Sequence, residues 1–200
     1  KQQLLGPVGH PKYVEYAKDI RDSGAYLLDL VNDLLDISTI EAGQRAIRRE
    51  SIRLAPFFAE CTKAATARVA NGAIVGVTMD PDMPALKADR RALKQVILNL
   101  LSNSLKFTPP EGQIVLTARR AKDRTTFSVA DTGKGIPKEN LKDITQAFER
   151  GQSSAYATAD GTGLGLAIAR SLVELHGGEL TIESEVGKGT EVSFFIPDRA

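Results

Sequence analysis

The sequence predicts an α+β fold in which a long helical arm is followed by a sheet with helices on one face. Apolar residues recur at helical spacing from Pro11 to about Gly43, which indicates one long helix. After Gly43 the pattern changes to short alternating strands and helices, and turns near residues 121–123 and 186–189 predict two hairpins. The chain has no internal repeat.

Length and composition indicate a globular protein. The 200 residues suffice for one domain with a sizeable core and a smaller appendage. Hydrophobic residues make up 42% and charged residues 26%, which argues against disorder, and the net charge of +1 predicts no attraction to nucleic acid. No apolar run reaches the length of a membrane span, and Cys61, the single cysteine, fits a reducing compartment. We expect a cytoplasmic domain, with any membrane anchor in upstream sequence.

The arm has the pattern of a helix from a bundle. Its apolar stripe is wide because Leu27-Leu28 and Leu34-Leu35 occupy adjacent positions, so the helix should contact more than one neighbour. Turn residues from Gly6 to Pro11 predict the loop of a helical hairpin whose first helix is mostly absent. Because the chain does not begin with methionine, we interpret it as a fragment whose arm pairs with missing sequence or a second copy.

Shorter elements follow the helix stop at Gly43. Asp89 is a good helix cap, and Gly177-Gly178 ends the last helix. We predict strands over residues 46–52, 73–79, 113–120, 124–131, 179–185 and 191–196, and helices over residues 54–71, 90–107 and 163–176.

A polar line runs along the predicted helix Arg90–Phe107, which is otherwise apolar almost all round. Gln95, Asn99, Asn103 and Lys106 follow one another at spacings of four, four and three residues. Buried amides need partners, because each unpaired amide costs ~1–3 kcal/mol. Amide oxygens suit Mg²⁺ that is shared with phosphates and water. The alternative, which this helix alone favours, is hydrogen bonding to neighbouring backbone.

Asp131 ends a strand with its carboxylate on the core side, in phase with Phe127 and Val129. The following turn, Thr132-Gly-Lys-Gly135, lets the backbone approach a ligand closely. A carboxylate can accept a hydrogen bond from an exocyclic amine such as that of adenine. Capping of the turn by Asp131 explains this stretch equally well.

A glycine-rich segment, Gly161-Thr-Gly-Leu-Gly165, opens the last helix. Exposed amides and the helix dipole favour an anion such as phosphate at this point. No strand precedes the segment, and no strand–helix–strand unit follows it, so we reject a dinucleotide-binding fingerprint. Three sites in this order, each suited to a different part of a nucleotide, predict a nucleotide-binding site.

These residues resemble the ATP-binding fold shared by histidine kinases, DNA gyrase, Hsp90 and MutL, over roughly residues 50–198. The resemblance is carried by an N box, a first glycine box, an F box, a second glycine box and a closing turn, at Leu98–Thr108, Asp131–Ile136, Phe148–Arg150, Gly161–Leu166 and Gly187–Thr190. Leu27–Gly43 is similar to the second helix of the kinase dimerisation domain. Residues 6–9 and 13–20 resemble kinases of bacterial cell-cycle and developmental switches.

The resemblance implies a Bergerat-type two-layer α/β sandwich, with a mixed, largely antiparallel sheet of about five strands. It implies a partial dimerisation and histidine-phosphotransfer domain at residues 1–45 and a catalytic ATP-binding domain at residues 46–200. ATP and Mg²⁺ are the implied cofactors. A second copy, bound through the helical bundle, and the receiver domain of a response regulator are the implied partners.

The same resemblance implies roles for single residues. Asp131 would bind the adenine amino group with help from Thr190, and Asn103 would ligate Mg²⁺ with Asn99 nearby. Residues 149–160 would form a lid over ATP. The other implied ATP-binding residues are Lys106, Phe107, Gly133, Gly135, Ile136, Arg150, Gly161, Thr162, Gly163, Leu164 and Gly165.

Asn99 favours phosphoryl transfer over hydrolysis. ATP-hydrolysing relatives carry Glu at this position, whereas an amide is a poor general base. In the kinases the acceptor is a histidine with an acidic neighbour on the first dimerisation helix, and neither His10 nor His176 has that setting. We expect a histidine kinase region that binds ATP and Mg²⁺ but lacks a phosphoacceptor and does not phosphorylate itself. The alternatives are a degenerate domain that binds proteins and, less favoured, an ATP hydrolase.

Overall fold

The computed structural model describes residues 10–68, 72–141 and 163–198. It contains a long helix, a small two-stranded sheet, and a five-stranded sheet with helices on one face. The elements are α1 (Pro11–Glu41), β1 (Glu50–Ile52), α2 (Leu54–Arg68), β2 (Ile74–Met79), β3 (Leu86–Ala88), α3 (Arg90–Phe107), β4 (Gln113–Arg120), β5 (Arg124–Asp131), a 3₁₀ turn (Lys138–Asn140), α4 (Gly165–Leu175), β6 (Leu180–Glu185) and β7 (Gly189–Pro197).

The main sheet has the strand order β2-β4-β5-β7-β6. β2 and β4 run parallel, and every other neighbouring pair is antiparallel. This confirms the prediction of a mixed, largely antiparallel sheet of about five strands. The register sets Asp131, at the end of β5, directly opposite Thr190 on β7.

The core lies between this sheet and the helices α2, α3 and α4. Alternate residues of β4 and β5 are buried, as the period of two predicts. The Phe127 ring stacks on Phe194 with 4.8 Å between ring centres and meets the edge of Phe58 at 6.1 Å. Each fully buried ring of this size contributes roughly 1.5–3 kcal/mol, so this aromatic cluster is a main source of stability.

Some predicted boundaries were wrong for local reasons. The first strand begins at Glu50 rather than residue 46, and α4 begins at Gly165 rather than residue 163, where Gly163 has a φ of 76°. The strand β3 was not predicted, because three residues are too few to show a period; it pairs with β1, far back in the chain. The predicted end of α2 at residue 71 lies outside the described residues.

The arm α1 is one helix, as predicted. His10 caps it by accepting a hydrogen bond from Lys12 N at 3.3 Å, and Pro11 occupies the first turn. Along most of its length its apolar stripe is exposed, and the only hydrophobic side chain of α1 that is buried among the described residues is Ile37, near its end. The bundle that the stripe predicts, and the domain boundary at residues 45–46, stay predictions, as does the hairpin loop, whose residues 6–9 lie outside the described ranges.

Within residues 10–68, 72–141 and 163–198, no helix is both long enough and apolar enough to cross a membrane.

Candidate nucleotide-binding site

The polar line of α3 contacts two neighbours, the arm and the start of α4. Gln95 turns toward the arm, where its Nε2 donates to Asp36 Oδ2 at 2.6 Å. Asn99 Nδ2 donates to Gly165 O at the start of α4, at 2.9 Å, so its amide nitrogen has the backbone partner that the alternative interpretation predicted. Asn103 follows one turn later and is half-buried.

The Asp131 carboxylate lies where β5, β7 and α3 meet. Its Oδ1 accepts from Gly133 N at 2.9 Å and from Thr190 N at 3.3 Å, and its Oδ2 accepts from Ser104 Oγ at 3.0 Å. The bond from Gly133 is the turn cap that the sequence offered as an alternative. Because a carboxylate has about four acceptor positions, capping leaves room for a further donor.

Two serines of the site were missed in the sequence. Ser104 is buried on α3, beside the polar line. Ser184 accepts from Ile136 N at 2.8 Å and donates to Gly189 O at 2.9 Å, and its Oγ lies 2.8 Å from Thr190 Oγ1. The signal for Ser184 was available, because the register of the predicted hairpin sets it opposite Thr190. Ser104 had no comparable signal, since its partner is remote in the chain.

The glycines of the Asp131 turn are required by contacts within the protein, in addition to the role predicted from the sequence. We expected them to let the backbone approach a ligand. In the structure, a Cβ at Gly133 would lie 2.6 Å from Phe107 O, and one at Gly135 would lie 2.0 Å from Glu185 O. Gly135 also has a φ of 69°. Contacts between protein segments therefore require these glycines and hold the turn in place.

A cleft of about 500 Å³ opens beside this turn. Its lining among the described residues comprises Lys106, Phe107, Thr108, Pro109, Thr132, Gly133, Lys134 and Gly187. Lys106 Nζ lies 5.2 Å from the centre of the Phe107 ring, and Lys134 Nζ lies 4.9 Å from it. The sequence had indicated Lys106 and Phe107 but not Lys134, because a lysine in a turn belongs to no periodic pattern.

The second glycine box is described only from Gly163 onward. Leu164 is fully buried, and its carbonyl accepts from Ile168 N at 2.9 Å as α4 begins. Gly165 lies against Asn99, since a Cβ there would be 3.5 Å from Asn99 Cγ. The predicted site residues Arg150, Gly161 and Thr162, and the predicted lid at residues 149–160, lie outside the described residues.

Side chains for a metal ion are few in the described part of the chain, where no group of three His, Cys, Asp or Glu residues is arranged to hold one. A cation here would need neutral oxygen donors together with oxygens from a ligand. The side-chain amides of Asn99 and Asn103 on α3 fit that requirement for Mg²⁺. Because Asn99 Nδ2 donates to Gly165 O, Asn99 Oδ1 is the atom of this amide that does not face Gly165 O.

Both histidines have structural contacts. His10 is the exposed cap of α1. His176 is buried, its Nε2 accepts from Asp89 N at 3.1 Å, and its Nδ1 donates to Leu172 O at 2.7 Å. Burial lowers the pKa of His176. Neither ring is placed as a nucleophile beside the cleft lining.

Comparison with known proteins identifies the family. Residues 88–200, more than half of the chain, match the family described as "Histidine kinase-, DNA gyrase B-, and HSP90-like ATPase". The chain belongs to this ATPase family. The match spans the described parts of α3, β4–β7 and α4, and thus includes Asn99, Asp131 and Gly165.

Named relatives and a solved structure narrow the class. The chain is 43% identical to the histidine protein kinase DivJ of Caulobacter vibrioides, over 98% of this chain and 33% of that protein. It is 35% identical to the cell-division control histidine kinase PdhS of Brucella canis, over 98% of this chain and 20% of that protein. The crystal structure of full-length ShkA in complex with AMPPNP matches with a TM-score of 0.80 and 31% identity, over 92% of this chain and 38% of that one.

These similarities support the sequence-based prediction. The chain carries an ATP-binding catalytic domain of the sensor histidine kinase class and is similar to kinases of the cell-cycle group. It spans only about a fifth to a third of the length of these two curated relatives.

Proposed function

We propose that this domain binds ATP with Mg²⁺ and donates the γ-phosphate to a histidine outside these 200 residues, for relay to an aspartate of a response regulator. The observation that carries the proposal is the Asp131 carboxylate. Three hydrogen bonds from three different elements hold it in place, with one acceptor position remaining for an exocyclic amine. Such a preorganised acceptor suits adenine, which offers an amino group, and disfavours guanine, which offers a carbonyl oxygen at the corresponding position.

The other residues divide by the part of the nucleotide they would contact. Thr190, Phe107, Gly133, Gly135 and Ile136 would surround the base beside Asp131. Lys106, Arg150 and the segment Gly161–Gly165 would bind the phosphates. Asn103 would ligate Mg²⁺, with Asn99 close by, and the bound ion would neutralise charge on the phosphate oxygens during transfer.

Phosphoryl transfer is favoured over hydrolysis by the state of Asn99. Its Nδ2 is committed to Gly165 O, and an amide oxygen has no useful basicity at neutral pH. No water is therefore activated at this position, and ATP would persist until an acceptor arrives. A protein-binding role without nucleotide predicts no affinity for ATP, and a hydrolase predicts steady phosphate release that Asn103→Ala abolishes.

The exposed stripe of α1 supports dimerisation in the whole protein. Leu27, Leu28, Val31, Leu34 and Leu35 are all about half or more exposed along one helix. Apolar side chains in such a row favour burial against other helices. We propose that a second copy of the chain supplies these partner helices in the intact protein.

The proposal is tested by titrating the chain with ATP and GTP in the presence of Mg²⁺. We expect saturable binding of ATP and much weaker binding of GTP. Asp131→Asn keeps an oxygen for the amides of Gly133 and Thr190, so the variant should stay folded. Its affinity for ATP should fall roughly 10- to 100-fold, because recognition of the adenine amine is lost.

Asp123→Asn, in the exposed β4–β5 turn, is the matched control and should bind ATP normally. A wild-type chain that binds no ATP at millimolar concentration would refute the proposal. Transfer is tested separately by adding a dimerisation domain that contains a phosphoacceptor histidine and measuring acid-labile label from γ-labelled ATP.

A further inference from the structure

Three polar side chains form one row across the inner face of the main sheet. Ser184 on β6 is opposite Thr190 on β7, and Thr190 is opposite Asp131 on β5. Directly opposite residues share a face of the sheet, with Cβ atoms about 4.5–5.5 Å apart. The row continues to Ile114 on β4, which is fully buried, so these side chains are on the face that the helices cover. All three polar residues are only half-buried, so a ligand can reach them.

The hydrogen bonds of Ser184 determine where its proton lies. Its Oγ is 2.8 Å from Ile136 N, 2.9 Å from Gly189 O and 2.8 Å from Thr190 Oγ1. An amide N–H can only donate and a carbonyl can only accept, so Ser184 accepts from Ile136 and gives its single proton to Gly189 O. The third contact is then a hydrogen bond only if the Thr190 hydroxyl donates to Ser184. In this arrangement both lone pairs and the proton of Ser184 are in use.

The same count leaves only acceptors for a ligand. The Thr190 hydroxyl has its proton directed at Ser184, so its lone pairs are what it can offer. Asp131 Oδ1 already accepts from Gly133 N and Thr190 N, whereas Oδ2 accepts only from Ser104 Oγ, so the remaining position of the carboxylate is on Oδ2. The Ser104 proton is used in that bond. Two neighbouring acceptors therefore face the ligand, and the three hydroxyl protons of this group are directed elsewhere.

We propose that Ser184 is a positioning residue for recognition of the purine. By accepting the Thr190 proton it makes the Thr190 hydroxyl an acceptor, so that Thr190 and Asp131 bind the two hydrogens of one exocyclic amino group. The inference rests on the proposed ATP site and adds to it the residue that orients the second acceptor. A carbonyl oxygen in place of the amino group would face lone pairs on both sides. Without Ser184 the Thr190 proton can turn toward the ligand, and the discrimination weakens.

The test compares three nucleotides that differ in one substituent of the base, by calorimetric titration of the whole chain with Mg²⁺. ATP has the amino group at this position, inosine triphosphate has a carbonyl oxygen, and purine riboside triphosphate has only a hydrogen atom. In Ser184→Ala we expect roughly five- to tenfold weaker binding of ATP, as for one hydrogen bond, and unchanged binding of purine riboside triphosphate. The preference for ATP over inosine triphosphate should fall by at least the same factor.

Further variants make the result specific. Ser184→Thr keeps the hydroxyl and should keep the wild-type affinities. Thr190→Val removes the acceptor but keeps the shape of the side chain, so it should repeat the loss for ATP alone. Because Ser184 acts through Thr190, adding Ser184→Ala to Thr190→Val should weaken ATP binding no further.

Thr181→Val is the matched control. It removes a hydroxyl from the same strand, β6, at an exposed position where the Thr181 side chain bonds only to Ser193 O at 3.5 Å. All three affinities should stay unchanged in this variant. Melting temperatures close to that of the wild type establish that each variant is folded.

The possible failures can be told apart. If Ser184→Ala weakens ATP and purine riboside triphosphate equally, Ser184 supports only the fold, and the proposal is wrong. It is also wrong if Ser184→Ala binds ATP as the wild type does, or if its loss adds to that of Thr190→Val; the ATP site stands in each of these cases. Should Ser184→Ala not fold, wild-type affinity for ATP in Thr190→Val overturns the proposal. If the wild type binds no ATP, this inference fails together with the proposed function.

Discussion

Asn99 joins two helices of the site through one side chain. Its Nδ2 donates to Gly165 O at 2.9 Å, and a Cβ at Gly165 would lie 3.5 Å from Asn99 Cγ, so α3 and the start of α4 are in contact there. A donor is required at this position, because the partner is a carbonyl oxygen. The same amide that makes a poor base for hydrolysis therefore also holds the start of α4 in place. An acidic residue at this position would be a better base and could not donate to the Gly165 carbonyl.

Asn99→Asp tests this pairing of roles. The substitution turns the donor into a charged acceptor that faces the Gly165 carbonyl, so the free energy of unfolding should fall by ~1–3 kcal/mol. ATP affinity should fall with it, because the start of α4 is loosened. The measurement is urea unfolding with and without nucleotide.

Ser102→Asp is the control for Asn99→Asp, since it adds the same charge at an exposed position of the same helix. It should change the stability by less than about 0.5 kcal/mol. Equal losses in the two variants would mean that the hydrogen bond to Gly165 contributes nothing.

At the scale of elements, His176 links the end of α4 to the start of α3. Its Nε2 accepts from Asp89 N, while the Asp89 side chain caps α3 by accepting from Arg91 N and Ala92 N, both at 3.0 Å. Arg49 adds a bond to His176 O at 2.9 Å. This junction lies at the start of α3 and the end of α4, whereas the Asn99–Gly165 contact lies at the middle of α3 and the start of α4, so the two helices are joined at two separate places.

This junction predicts loss of stability in mild acid. Burial lowers the pKa of His176 below its unfolded value of about 6.5, so the unfolded state binds a proton first as pH falls. The stability that the neutral ring contributes is complete above about pH 6.5 and decreases below it. Asp89 titrates in a lower pH range. Burial raises its pKa, but the hydrogen bonds from Ala92, Arg48 and Arg91 lower it by more, so its net pKa is below that of a free Asp.

Urea unfolding between pH 8 and pH 5 measures this dependence. The charged groups that act on the His176 ring are Asp89, Arg49 and Arg45. His176→Gln leaves these groups unchanged, and it should flatten the dependence of the unfolding free energy on pH between pH 6.5 and pH 5. His10→Gln replaces the other histidine, which is exposed, and should keep the wild-type profile. An unchanged slope in His176→Gln would contradict the assignment.

At the scale of the whole molecule, a ring of three hydrogen bonds connects the arm to the ATP-binding region. Arg45 Nη1 donates to Asp36 Oδ1 at 2.6 Å, Arg45 Nη2 donates to Gln95 Oε1 at 3.3 Å, and Gln95 Nε2 donates to Asp36 Oδ2 at 2.6 Å. Arg45 and Asp36 are only 21% and 30% exposed, so solvent screens their ion pair incompletely. Beside them Ile37 is buried in the core. The end of the arm is thus fastened to the same helix that carries Asn99 and Asn103.

Gln95→Ala removes two of these three hydrogen bonds. We expect amide hydrogen exchange in the last two turns of α1 to accelerate roughly five- to thirtyfold, which corresponds to a loss of ~1–2 kcal/mol, while exchange in β4 and β5 stays unchanged. Arg21→Ala removes an exposed ion pair from the same helix and serves as the control. Equal exchange rates in Gln95→Ala and the wild type would show that the arm is held without this ring.

Local sequence signals sufficed to predict the elements whose start and stop signals lie within or next to the segment itself. The bounds of α3, β4 and β5 agree with the prediction, because Asp89 caps the helix and turn residues close the hairpin within the segment itself. The same local logic recovered Asp131 and its inward direction, since alternation along a strand depends only on that strand. The glycine boxes were recognisable for a related reason, because their residue types are unusual wherever they occur.

Contacts between distant segments required the tertiary structure. The partner of Gln95 lies on the arm, that of Ser104 is Asp131, and Lys134 meets Phe107 only because the turns at Gly133 and Gly187 close on the end of α3. None of these pairs has a fixed spacing in the chain, so no periodicity reveals them. The sequence predicted a nucleotide site at Asn99, Asp131 and Gly165. The packing of strands and helices decided which other side chains surround that site and how the arm is attached to it, because side chains distant in sequence are brought together only by the fold.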